Sequence, residues 1–125
     1  MPLPDYPIHT TIPASNLDRA RAFYEERLGF TPASVAPGGV FYESAGGTRF
    51  LVYPSQSAGT NQATTAGWAV EDIEATVADL SDRGVAMERY EGTTDERGIA
   101  TFGPLRSAWF KDTEGNILGV VQLPS

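Results

Sequence analysis

The chain has no cysteine and only one histidine, His9, among its 125 residues. Without cysteine there is no disulfide framework, no thiolate nucleophile and no zinc site built on sulfur. With a single histidine, neither a three-histidine zinc centre nor an iron centre of two histidines and a carboxylate can be assembled. Basic residues are also scarce. Nine stand against sixteen acidic ones, giving a net charge of −7. A phosphate backbone would be repelled, so nucleic acid is not an expected partner, whereas a cationic small molecule would be favoured. No apolar run approaches the roughly twenty residues of a membrane span, and MPLPDYPIH holds no apolar signal region. Together with the missing cysteines this points to a cytoplasmic protein. No serine has a visible catalytic partner, and no glycine-rich phosphate loop or dinucleotide fingerprint occurs.

What is present is a repeated grammar. Ile8, Thr10 and Ile12 alternate with His9, Thr11 and Pro13, the period of a strand with one more apolar face. Ser15 or Asn16 can cap the following helix, in which Leu17, Ala20, Phe23, Tyr24 and Leu28 form one apolar stripe. Gly29 ends it. The pattern returns 56 residues later: Asn16 falls on Asp72, Leu17 on Ile73 and, after one lost residue, Gly29 on Gly84. Farther on, VFYESAGGTRFLVYP (Val40 to Pro54) overlies AWFKDTEGNILGVVQ (Ala108 to Gln122) at an offset of 68, with Gly47 on Gly115. Both read as strand, glycine turn, strand. The period is too long for a solenoid and indicates a duplicated module.

In chain order the spacing predicts helices over Leu17 to Leu28 and Ile73 to Arg83, with strands at Thr31 to Val35 and Ala86 to Tyr90. PSQSAGTNQAT (Pro54 to Thr64) reads as the linker between modules. EGTTDERGIATFGP (Glu91 to Pro104) has no counterpart in the first module. A connection of that length carrying Ile99 and Phe102 is expected to be an ordered flap, or else a solvated loop pinned by one phenylalanine. The fold class is α+β, one domain over residues 1–125 made of two βαβββ modules, about 7–54 and 64–123.

HTTIPASNLDRARAFYEERLGF, WAVEDIEATVADLSDRGV and WFKDTEGNILGVVQ, in that order and spacing, resemble the vicinal oxygen chelate superfamily of glyoxalase I, extradiol dioxygenases and bleomycin-resistance proteins. The last stretch is similar to the family's aromatic–x–D-P-x-G-N turn, with Thr113 in place of proline. The resemblance implies paired βαβββ modules whose sheets curl into a cup, commonly in a homodimer. A homodimer is expected also because open strand edges and apolar sheet surface invite pairing.

The family's metal enzymes take ligands from the first and last strands of each module. Those positions fall here on His9, Thr65, Leu51 and Gly119, of which only His9 is a ligand of the usual kind, so no metal and no cofactor is expected. His9 would then point into the cup, as a polar wall residue, a ligand contact or a general base. Strand parity and hairpin pairing across Gly46-Gly47 place Val40 and Tyr42 with Arg49, Leu51 and Tyr53. In the second module Ile117, Gly119 and Val121 share a face, with Phe110 opposite. His9, Tyr42, Tyr53 and Phe110 are accordingly the expected substrate-binding residues, in a cavity near the Glu91 to Pro104 loop, unless the aromatics simply fill the cup. The reading is a metal-independent protein binding an unidentified small molecule. The alternatives are a lyase, isomerase or dioxygenase working through unconventional ligands or His9, and a dimeric interaction module without a ligand.

Overall fold

The computed structural model describes residues 2–124. Two four-stranded mixed sheets carry the duplication. The first module runs β1 (Thr10–Ala14), α1 (Leu17–Ala22), β2 (Pro32–Ala36), β3 (Gly39–Glu43) and β4 (Arg49–Pro54). The second runs β5 (Ala66–Val70), α2 (Ile73–Asp82), β6 (Ile99–Phe102), β7 (Leu105–Lys111) and β8 (Ile117–Gln122). Strand orders are β1-β4-β3-β2 and β5-β8-β7-β6, the same topology twice. In each sheet the first and last strands of the module pair in parallel and the others antiparallel.

The helix caps are those the sequence offers. The Asn16 side chain accepts the Arg19 N–H, and Asp72 accepts that of Ala75. The first helix is not α-helical throughout. After Ala22 it widens into a π-helical turn, Phe23–Arg27. The turn sets Phe23 and Tyr24, adjacent in sequence, both into the core. Phe23 packs on Phe110 and Tyr24 on Tyr42 and Phe50.

Four expectations of element placement change. Residues 86–90 form no strand and make only a single bridge, Met87 to Phe110. The second strand of the second module comes instead from within the expected flap, as β6. The reason is Gly103-Pro104: with Gly103 at φ 60°, these two residues close a tight β6–β7 hairpin in which Phe102 faces Leu105. Pro37-Gly38 closes β2–β3 in the same way, between Ala36 and Gly39. The inserted residues therefore lie before β6. They are strapped to α2 by Arg97 bonding Glu74. Finally, the first strand begins at Thr10, and Ile8, expected on its apolar face, is 96% exposed.

One polar clasp locks the modules together. The second-module turn Asp112 to Asn116 is buried at Asp112, Glu114 and Asn116. Asp112 accepts the backbone N–H groups of Glu114 and Asn116 and, at 2.6 Å, the Tyr24 hydroxyl. Asn116 donates to the Pro13 carbonyl of β1 at 2.7 Å. Glu114 sits at the start of α1, accepting from the Ser15 hydroxyl, the Asn16 N–H and the Arg19 guanidinium. Burial alone would push the Glu114 carboxyl up. Those donors, with the Thr113 hydroxyl, outweigh it and hold the carboxyl at about 2. At the other ends of the helices Arg27 donates to the Arg83 and Gly84 carbonyls, and Arg83 to that of Arg27. Each guanidinium thus compensates the partial negative charge of the opposite helix end.

Candidate functional site

Alternation decides which side chains each sheet turns inward. Ile12, Ala14, Val40, Tyr42, Phe50 and Val52 of the first sheet are buried, and so are Ile99, Ala108, Phe110, Leu118 and Val120 of the second. These are the helix-bearing faces, and they meet in one core, where Phe23 touches Phe110 and Trp68 touches Phe30 and Phe50. The opposite faces therefore lie on the outside of the chain.

The four expected site residues divide between these two environments. His9 and Tyr53 belong to the outer side of the first sheet. Tyr42 and Phe110 belong to the core, 0% and 1% exposed, so the four do not line one cavity. The physical reason is register. A turn made of Gly46-Gly47 alone would pair Tyr42 with Leu51. The actual loop is five residues, Ser44 to Thr48, containing a 3-10 turn, and it pairs Phe41 with Leu51 and Tyr42 with Phe50. A one-residue slip moves every side chain of a strand to the other face. The equivalent five-residue turn Asp112 to Asn116 sets Trp109, not Phe110, opposite Gly119. Buried Tyr42 still finds a partner, since its hydroxyl donates to Glu25 at 2.8 Å. Burial, with the Glu25 carboxylate beside it, pushes this phenol above its ordinary value.

The outer faces also carry two aromatics that parity alone did not single out, Phe41 and Trp109. On the first, half-buried Phe41, Leu51 and Tyr53 lie together, and the His9 ring meets Phe41 edge-on at 5.4 Å. On the second, the Trp109 ring lies over the bare backbone of Gly119. A Cβ at Gly119 would stand 3.3 Å from the indole and 3.4 Å from the Thr64 methyl. Tyr90 closes on Trp109 edge-on at 5.6 Å. Only the register sets Trp109 directly across from Gly119, where the indole fills the space a side chain would take. Lys111 and Glu88 pair at 3.6 Å toward one end of the same face.

The outer faces also test the metal reading. At the four positions implied by the resemblance, Leu51 and Gly119 have no donor atom, Thr65 has one hydroxyl and His9 one imidazole. The Thr65 hydroxyl oxygen is buried and has no hydrogen-bond partner, but a neutral hydroxyl and one imidazole do not make the set a divalent metal enzyme requires. Among the described residues no group of three or more His, Asp or Glu is placed to hold a metal ion. The residues do not fit the metal. Nor, among the described residues, is any helix long and apolar enough to cross a membrane.

Comparison with known proteins agrees with the topology. The sequence profile of the glyoxalase/bleomycin resistance protein/dioxygenase superfamily matches residues 7–120. The chain belongs to this superfamily. Among curated proteins none matches it. Among solved structures, UcmS2 shares the fold at 19% identity and a TM-score of 0.72, covering 90% of this chain and 94% of its own. TnmS3, an antibiotic binding protein from Streptomyces sp. CB03234, is 25% identical over 95% of this chain and 98% of its own, with a TM-score of 0.68. A glyoxalase/bleomycin resistance protein from the same organism is 24% identical, covering 90% and 96%, at a TM-score of 0.68.

Proposed function

We propose that this superfamily member is a small-molecule-binding protein that holds a planar aromatic ligand by burial and electrostatics, without a metal. The observation that carries the reading is the Trp109–Tyr90 pair laid over Gly119 on an outer sheet face, with Phe41, Tyr53 and His9 on the other. Aromatic walls with few polar groups are the usual make-up of such sites. The net charge of −7 favours a cation. Similarity to TnmS3, an antibiotic binding protein, supports the same reading.

The two outer faces do not enclose a common space within one chain, so the reading includes a homodimer. Module one of one copy would face module two of the other, each face supplying half of a cup. Half-exposed Phe41, Leu51 and Tyr53 would lose water contact there.

A thermal-shift series tests it. A planar aromatic cation such as an acridine dye, at 100 times its Kd, should raise Tm by on the order of 10 °C. Zinc, manganese and iron(II) salts should leave it unchanged. Stabilisation by a metal with no response to aromatic compounds would replace this reading with the enzymatic one.

Gly119→Val should separate site from scaffold, because the new side chain must displace the indole. Overpacking is expected to cost about 1–3 kcal/mol while the dye's stabilisation largely disappears. Denaturation with and without dye checks both.

A further inference from the structure

Arg27 is anchored by the fold but not neutralised by it. Of the nine basic residues, only Arg27 and Arg89 form no ion pair among the described residues. Arg27 is nevertheless held in place. Its Nη1 donates to the Arg83 carbonyl at 3.3 Å and to the Gly84 carbonyl at 3.1 Å. The guanidinium rests on the bare backbone of Gly84, where a Cβ would collide with Nη1. Nη1 carries two protons, so both are spent. Nε and Nη2 form the edge that grips a carboxylate with two parallel bonds, and neither has a partner among the described residues.

Arg27 borders a groove of about 650 Å³ between the first helix and the segment that follows α2. The π-helical turn Phe23–Arg27 forms one wall and ends at this arginine. Such turns gather at functional sites. Apolar surface adjoins it, from exposed Ala22 and Ala86 and the edges of buried Phe23 and Val85. Four other charged side chains face the groove: Arg19, Glu26, Glu88 and Lys111. Arg19 is matched by Glu114 at 2.8 Å. The Lys111–Glu88 pair, at 3.6 Å, is loose enough to be exchanged at little cost. Glu26 and Glu88 would repel a doubly charged head group, so the fitting ligand carries one negative charge. The net charge of −7 does not forbid it, since at about 0.1 M salt fields are screened beyond about 10 Å and contact with the fork decides.

We propose that this groove is a second binding site, for a small organic monocarboxylate with an apolar body. The carboxylate takes the Nε–Nη2 edge of Arg27, Lys111 adds a second cation, and the body covers Ala22, Ala86 and the edges of Phe23 and Val85. The groove lies on the helix side and shares only the Lys111–Glu88 pair with the outer face of the second sheet. It depends neither on the aromatic site nor on a dimer.

Benzoate is the probe, with benzamide as its uncharged counterpart. Backbone amide NMR of the isotope-labelled full chain, at low salt, follows each titration. Benzoate should bind saturably, move the amides of residues 22–28 and 84–88, and bind roughly tenfold more tightly than benzamide. Arg27→Met keeps the stem and removes the fork, and should weaken benzoate by about tenfold. Lys111→Met leaves the Arg27 contacts in place and should weaken it severalfold. Arg97→Met, whose arginine pairs with Glu74 and Asp95, should leave the affinity unchanged. No saturable binding, equal affinity for benzoate and benzamide, or shifts centred on other amides would overturn the site. So would a folded Arg27→Met chain that binds benzoate as tightly as the wild type. The benzoate–benzamide comparison needs no variant, so it decides even where Arg27→Met fails to fold.

Discussion

Tyr42→Ala should lower the free energy of unfolding by about 3–5 kcal/mol, the range for truncating a large buried aromatic. Tyr53→Ala, on the outer face and opposite Pro13 of β1, should cost roughly 1 kcal/mol. The difference follows from which face each occupies. Tyr42 is fully buried, stacked on Phe50 at 5.2 Å and Tyr24 at 6.0 Å, with its hydroxyl on Glu25. Removing it leaves a cavity between two rings and strips Glu25 of one donor. Tyr53 is half-buried, and its ring takes part in none of the aromatic pairs. Urea denaturation of both variants, at a concentration low enough to keep the chain monomeric, makes the comparison. A loss at Tyr53 as large as that at Tyr42 would mean that the outer face is packed by its own chain, and the binding reading would fall with it. Tyr42→Phe isolates the hydroxyl and should cost about 1 kcal/mol.

Glu114→Gln should be the second large effect, and a pH-dependent one. The carboxylate is buried between the modules and gathers donors from Ser15, Asn16, Arg19 and Thr113. The amide cannot accept from all of them, and its own N–H groups would face donors. The expected loss at pH 7 is on the order of 3 kcal/mol, which corresponds to holding a carboxyl from its ordinary 4.5 down to about 2. The unfolded chain binds this proton first as pH falls. The stabilisation is therefore complete above about pH 4.5 and drains away between there and pH 2. Wild type should lose stability across that window more steeply than Glu114→Gln, so the two curves should converge at the acid end. Parallel curves would show that Glu114 is not held low by its partners.

Much of this protein was legible because its signals are local. Strand alternation, the Asn16 and Asp72 caps, and the glycines after each helix need only neighbours to act, and they returned at a fixed offset. The duplication, the module topology and the superfamily followed from them.

The site was less legible, because it depends on quantities a local pattern does not contain. Loop length beyond Gly46 and Gly47 decided a register, and the register decided that Phe41 and Trp109 face outward while Tyr42 and Phe110 face the core. Gly103-Pro104 was a readable turn signal, but only pairing with β7 shows that β6 begins before it and that residues 86–90 stay out of the sheet. The turn Asp112 to Asn116 could be matched to a family signature, yet its physical work appears only when Tyr24, Pro13 and the start of α1, about a hundred residues earlier, come within hydrogen-bond reach. Which strands exist was set by side-chain periodicity along the chain. Which face of each strand meets water was set by how the two sheets close over a shared core, because burying the helix-bearing faces together leaves the other pair outside.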